Sequence, residues 1–217
     1  MARTMKRPRG RPRNSAQTSR RREQILDVAA RVFAELGYAD TDVQIVADTL
    51  RIGKGTIYRY FPSKSELFLA AVDRGMRLLS EEVRRAIEHR DDPLDRITTA
   101  IRVYLAFFKT YPELVELFIQ ERAAFRHRKQ SIYFQHREAN LPQWQELYRQ
   151  LAARGRIRDV PVQRITDVIG SLLYGSLFMN HGTGRRKTSE QQARDLVDIA
   201  FHGILSDKER KRRSSVA

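Results

Sequence analysis

One period runs through this chain. Between Arg20 and Leu36 the apolar residues Ile25, Ala29, Val32, Phe33 and Leu36 recur every three or four positions, which is the spacing of one buried helix face. Gly37 supplies a helix stop. Thr41 and Asp42 then open a shorter helix that carries Val43, Val46, Ala47 and Leu50 inward. A third helix runs from about Lys54 to Phe61 and ends before Pro62. Ser63-Lys64-Ser65-Glu66 reads as a capping box for a fourth, from Lys64 to about His89. Asp91-Asp92-Pro93 restarts the chain with proline at a favoured first-turn position. Further helices are expected over 93–110, 112–129, 131–153, 161–181 and 189–206. No segment alternates with period two long enough for a strand, and no internal repeat is present. The expected fold class is therefore all-α. With 217 residues, 41% of them hydrophobic, the chain can bury a sizeable core. It divides into a body over 20–67, built on three short helices, and a larger helical body over 68–206. Their boundary lies inside the fourth helix, because no Gly/Ser/Pro-rich linker separates them.

The charge is unevenly placed. The formal net charge is +15, yet residues 1–22 hold nine Lys/Arg and no Asp/Glu, and residues 206–217 hold five basic and two acidic residues. Arg185, Arg186 and Lys187 add three more positives. What remains is balanced, so a neutral body carries a basic arm over 1–19 and a basic tail over 207–217, both expected to be disordered. Such a distribution points to a polyanion, nucleic acid first and an acidic membrane second, against the alternative of a merely solvated tail. The longest apolar run, Ile169 to Met179, is 11 residues with two glycines and two serines, too short to span a bilayer. No apolar stretch follows the basic start, so no secretory signal is expected. The absence of cysteine excludes disulfides, thiolate zinc sites and cysteine nucleophiles, and accords with a cytoplasmic location.

Leu50-Arg51-Ile52-Gly53 forms a tight turn between two short helices, the arrangement in which a helix-turn-helix reads DNA. Ile57 and Phe61 share a face that holds the second helix down. Lys54, Thr56, Tyr58 and Arg59 then face outward as donors suited to phosphates and base edges, and Gly55 leaves room for a close backbone approach. From periodicity alone, a small three-helix bundle with an ordinary polar face fits equally well.

Residues 22–72 settle the choice by resemblance. Arg22-Glu23-Gln24-Ile25-Leu26, Gly37-Tyr38, Lys54-Gly55-Thr56-Ile57-Tyr58-Arg59-Tyr60-Phe61 and Lys64-Ser65-Glu66-Leu67-Phe68 closely resemble the DNA-binding region of TetR-family repressors. The resemblance implies that Thr41 binds a phosphate, that Lys54 and Arg59 read bases with Gly55 and Thr56 close to the groove, that Tyr58 and Tyr60 contact sugar-phosphate, and that Lys64 anchors the backbone. Two positions depart from the common pattern. Arg51 stands where a glycine is usual, at a cost of roughly 1 kcal/mol if the residue is left-handed. Gly53 stands where a serine cap is usual.

The basic arm adds a second candidate reader. Arg9, Gly10, Arg11 and Pro12 form the Arg-Gly-Arg-Pro core of an AT-hook, a slim extended strand that suits the narrow, negative minor groove of A·T tracts. A nonspecific basic tail is the alternative.

Beyond residue 93 aromatic side chains are dense, and most are expected in the core. The resemblance implies an effector pocket among these helices, for which Phe107, Phe108, Phe118, Glu121, Phe125, Trp144, Tyr148 and Tyr174 are the candidates, with Arg122, His127, Gln135 and His136 as possible polar contacts. His127 and His136 miss the i, i+4 spacing of helical metal sites, so neither a metal nor a cofactor is expected. Ile165, Ile169, Leu172, Leu173 and Leu177 crowd one helix, and Leu196, Val197, Ala200, Phe201 and Ile204 line the next. The resemblance implies a four-helix interface of a homodimer, hence a palindromic operator in double-stranded DNA. The implied function is a transcriptional repressor released by a small-molecule effector, with no membrane partner. A sequence-blind DNA-coating protein is the second reading. An enzyme is the third, and the chain lacks a Gly-rich phosphate loop, His-Glu-x-x-His and Gly-x-Ser-x-Gly.

Overall fold

The structure, a computed structural model, describes residues 15–183 and 188–203, and these form nine α-helices with no strand. Arg9, Gly10, Arg11 and Pro12 of the arm, the basic stretch 184–187, Ile204 and the tail 207–217 lie outside the described residues. The helices are α1 (Ser15–Leu36), α2 (Val43–Thr49), α3 (Lys54–Tyr60), α4 (Lys64–Ile87), α5 (Pro93–Thr110), α6 (Glu113–Ala124), α7 (Ile132–Ala153), α8 (Val162–Thr183) and α9 (Ser189–His202). The chain forms two compact units that divide between Ala71 and Val72, within α4.

In the N-terminal unit α1 buries Ile25, Leu26, Ala29 and Phe33, α2 buries Val43, Val46 and Ala47, and α3 buries Ile57. The start of α4 closes this core with Leu67 and Phe68. Phe68 meets the Phe33 ring edge-on at 5.1 Å and the Tyr38 ring at 5.0 Å, geometries that favour aromatic contact beyond simple burial. Helix α1 begins at Ser15, five residues before the expected Arg20. Residues 15–19 are thus helical rather than part of a disordered arm. Ala16 to Arg20 are exposed, so burial does not account for this first turn of α1. Leu36, expected inward, is exposed because it is the last residue before Gly37 redirects the chain.

In the C-terminal unit α5 is the central element. Its Ile97, Ile101 and Leu105 pack with Leu147, Tyr148 and Leu151 of α7 and with Ala193 of α9. Asp92 caps α5, its Oδ1 accepting the N–H groups of Leu94 (2.7 Å) and Asp95 (3.2 Å), with Pro93 in the first turn. Helix α6 stops at Ala124, short of the expected 129. The reason is tertiary: the buried Glu121 carboxylate accepts the N–H of Ile132 at 3.0 Å. A continuous helix would carry residue 132 roughly 16 Å from Glu121, at about 1.5 Å per residue. Pro142 sits inside α7. Helix α9 ends at His202, four residues early, with Gly203 at φ +77° as its cap.

Candidate nucleic-acid interface and ligand cavity

The turn between α2 and α3 is closed by two backbone bonds, Arg51 N–H to Asp48 O and Ile52 N–H to Ala47 O, both 3.0 Å. This closure needs a left-handed residue just past the helix. Arg51 supplies it at φ +53°, the one non-glycine residue with positive φ among the described residues. Helix α7 ends in the same way, Gly155 N–H to Ala152 O and Arg156 N–H to Leu151 O, but there a glycine at φ +64° takes the strained position.

Asp42 caps α2 and reaches α3. Its Oδ1 accepts the Gln44 N–H at 2.8 Å and the Lys54 Nζ at 2.6 Å. The Gln44 bond first, and Lys54 second, hold its carboxyl below the usual carboxylate range. Asp42 correspondingly raises the Lys54 ammonium. On α3 only Ile57 is buried; Gly55, Tyr58 and Arg59 are exposed, and Lys54, Thr56 and Tyr60 are half-buried. A Cβ at Gly55 would meet nothing within 4 Å, so the packing of this chain does not itself require glycine there.

Two of the expected phosphate ligands are occupied. Thr41 is 2% exposed. Its hydroxyl donates to Gly37 O at 2.7 Å and its N–H to the same oxygen at 3.1 Å, which leaves no donor for a phosphate. Thr41 braces the entry to α2 instead. Lys64 donates to Ala39 O (2.9 Å) and Thr41 O (3.0 Å) and lies 4.9 Å above the Tyr38 ring. Of the three protons on its ammonium, one remains. Ser63 caps α4, its Oγ accepting the Glu66 N–H at 3.1 Å.

The C-terminal unit contains a cavity of about 520 Å³, within the range of small-molecule sites. Four helices line it with stripes at helical spacing: Met76, Ser80 and Val83 on α4, Ile97, Ile101 and Tyr104 on α5, Tyr133, His136, Arg137, Asn140, Trp144 and Tyr148 on α7, and Thr166, Ile169 and Leu173 on α8. Of the residues put forward for an effector pocket, Trp144, Tyr148 and His136 are among the lining residues. Phe107, Phe108, Phe118, Glu121, Phe125 and Tyr174 are not among the lining residues. Phe107, Phe108 and Phe118 are buried in a chain of ring contacts 5.4–5.8 Å apart, and Tyr174 packs on Tyr133 and Phe134. Glu121 caps the turn into α7, with burial raising its carboxyl above the usual range. Aromatic density marked the core, whereas the cavity falls beside it, along the inner stripes of α4 and α7. The contributions of α4 and of Tyr104 and Tyr133 were missed. Their stripe spacing was readable, but which stripe faces a void was not.

The apolar residues of α8 and α9 also sort differently from expectation. Ile165, Ile169, Leu173, Leu196, Val197 and Phe201 pack on the core of their own unit. Leu177 is buried and Ala200 half-buried. Among the described residues of the expected interface only Leu172 is clearly exposed, at 43%, and it lies on a stripe with Val168 and Met179, 53% and 48% exposed. Ile199 is the exposed apolar residue of α9. From Val168 to Met179 helix α8 carries apolar residues on more than one side, so sequence alone could not say which side α5 and α7 would cover.

Residues 25–71 match the family model described as bacterial regulatory proteins, tetR family. Within the N-terminal unit the chain therefore carries a tetR-family segment. FasR of Mycolicibacterium smegmatis, an HTH-type transcriptional activator, is 33% identical over 106 residues, 48% of each chain. Mb1581 of Mycobacterium bovis, an uncharacterized HTH-type transcriptional regulator, is 29% identical over 188 residues, 87% of this chain and 89% of its own. FadR of Bacillus subtilis, solved in complex with stearoyl-CoA, matches with a TM-score of 0.71 at 17% identity over 84% of this chain and 99% of its own, a likeness of fold. The chain spans about half the length of the first curated relatives it matches.

Proposed function

We propose that this protein is a homodimeric, sequence-specific DNA-binding transcriptional repressor of the cytoplasm, which binds a palindromic operator and is released by a small-molecule effector, and that it is not an enzyme. The observation that carries the reading is α3: a short helix held by buried Ile57 and a strained turn, presenting Lys54, Gly55, Thr56, Tyr58 and Arg59 outward inside the stretch that matches the tetR family. The α3 side chains supply base readout and sugar-phosphate contacts, with Tyr60 and the remaining proton of Lys64 at the flank. Residues 23–74 carry six basic and eight acidic residues, so long-range attraction falls to the basic arm and specificity to these few placed donors.

The dimer surface is the α8 stripe of Val168, Leu172 and Met179 together with Ile199 of α9, whose exposure asks for a cover. The cavity of the C-terminal unit takes the effector, which acts by binding the DNA-released conformation more tightly than the bound one.

Fluorescence anisotropy on the promoter beside the protein's own gene tests the reading. Specific binding at physiological salt that is lost on Arg59→Ala supports it, and equal affinity for unrelated A·T-rich duplexes overturns it. Deleting residues 1–13 should weaken binding and flatten its dependence on salt. Transcription in vitro with and without the protein reads repression against the activation named for FasR.

A further inference from the structure

We propose that the cavity takes a neutral, largely apolar molecule carrying a hydrogen-bond-accepting oxygen, a ketone or ester carbonyl, which is received by the hydroxyl pair of Tyr104 and Tyr133. This rests on reading the cavity as the effector site.

The inference comes from what the wall already satisfies and what it leaves over. Its charged groups are matched to one another. Arg77 donates to Asp73 at 2.9 Å, His136 lies 2.8 Å from the other oxygen of Asp73, Arg84 holds Glu81 at 2.8 Å and Arg137 reaches Asp167 at 3.2 Å. The Arg137 guanidinium crosses α8 at Gly170, where a Cβ would come within 2.9 Å of it. Each cation of the wall therefore already faces an acid, and a charged ligand of either sign would meet charge that is already neutralised.

The tyrosines are different. Tyr104 and Tyr133 hydroxyls bond each other at 2.8 Å. One bond uses one of their two protons, so the pair keeps a donor to offer. The Tyr148 hydroxyl is buried, 3% of the residue being exposed, and has no hydrogen-bond partner among the described residues. Burial pushes all three hydroxyls up, that of Tyr133 to about 12, so they stay protonated and act as donors. The Tyr148 hydroxyl is itself closed off from the open space of the cavity, whereas an acceptor on the ligand would match the spare proton of the Tyr104–Tyr133 pair. A hydrocarbon would not, and a site built with donors discriminates strongly against molecules that lack the acceptor.

Trp144 makes the test direct, because it lines the cavity and is the chain's only tryptophan. Three probes are titrated into the full chain while Trp144 emission is followed: a 6-acyl-2-(dialkylamino)naphthalene, the same amine without the acyl group, and its 6-carboxylate. The ketone should bind at least tenfold more tightly than both others. Tyr104→Phe and Tyr133→Phe should each lower ketone affinity three- to tenfold and leave affinity for the acyl-free amine unchanged, while Tyr148→Phe should leave ketone affinity unchanged and keep the thermal midpoint of the free protein at or above wild type. Two variants keep the test open should one fail to fold. Equal quenching by ketone and acyl-free amine, or tighter binding of the carboxylate, overturns the proposed ligand class and leaves the cavity as a binding site. No Trp144 response to any probe overturns the effector-cavity reading and this inference with it.

Discussion

In the N-terminal unit Thr41, Ser63 and Lys64 each hold a backbone group of the turns around α2 and α4, whereas around the C-terminal cavity the Tyr148 hydroxyl has no hydrogen-bond partner among the described residues and the Tyr104–Tyr133 pair has a proton to spare. The first arrangement suits a head that must arrive already shaped, since every phosphate and base contact depends on where the backbone sits. The second suits a cavity whose hydrogen bonding is completed by what enters it. A charged pair of the first unit, Asp42 with Lys54, likewise ties the start of α2 to the start of α3. Rigidity and openness are thus written in the same residue types, and it is the neighbours that decide which role a hydroxyl takes.

The strongest way to break this comparison is at Glu121, the C-terminal residue that behaves like those of the first unit. Glu121→Leu orphans the Ile132 N–H and should lower unfolding stability by about 3 kcal/mol in urea titration. Glu121→Gln gives the pH signature. Burial holds the native carboxyl above its ordinary 4.5, so the folded state keeps its proton longer than the unfolded one and wild-type stability falls as pH rises through the window above 4.5. The glutamine variant has no such proton and should gain on wild type across that window, then level off; a constant difference would contradict the assignment.

Lys64→Met is the next largest. It strips two carbonyls of a charged donor and should cost about 1.5 kcal/mol. Should thermal melts show no loss while DNA affinity falls, Lys64 serves DNA and not the turn. Arg51→Gly relieves the left-handed arginine and should raise stability by about 1 kcal/mol; the matching closure at Gly155 serves as the control, where Gly155→Arg should lose a similar amount. The smallest effect carries the opposite sign to most core substitutions. Tyr148→Phe deletes an unmatched buried hydroxyl and should raise the stability of the free protein by about 0.5 kcal/mol in calorimetry. A clear loss would mean that the hydroxyl has a partner, and the contrast between the units would fail.

What could be read without the structure was local. The order of helices, the caps at Asp42, Ser63 and Asp92 and the strained Arg51 turn all depend on residues within about five positions of one another, where helix geometry links spacing to facing. The outward face of α3 is legible for the same reason, since one buried residue, Ile57, orients a seven-residue helix. The arrangement of the larger unit depends on distant partners. The Glu121 bond that ends α6 spans 11 residues, the Tyr104–Tyr133 pair 29 and the His136–Asp73 contact 63. Where helices are apolar on more than one side, as α8 is, several packings satisfy the sequence pattern equally. Only the tertiary structure chose among them, because burying one stripe against α5 and α7 exposes the opposite one. It thereby settled that Leu177 lies inside and Leu172 outside, that Phe118 is core and Trp144 cavity wall, and that the Tyr148 hydroxyl is left without a partner among the described residues.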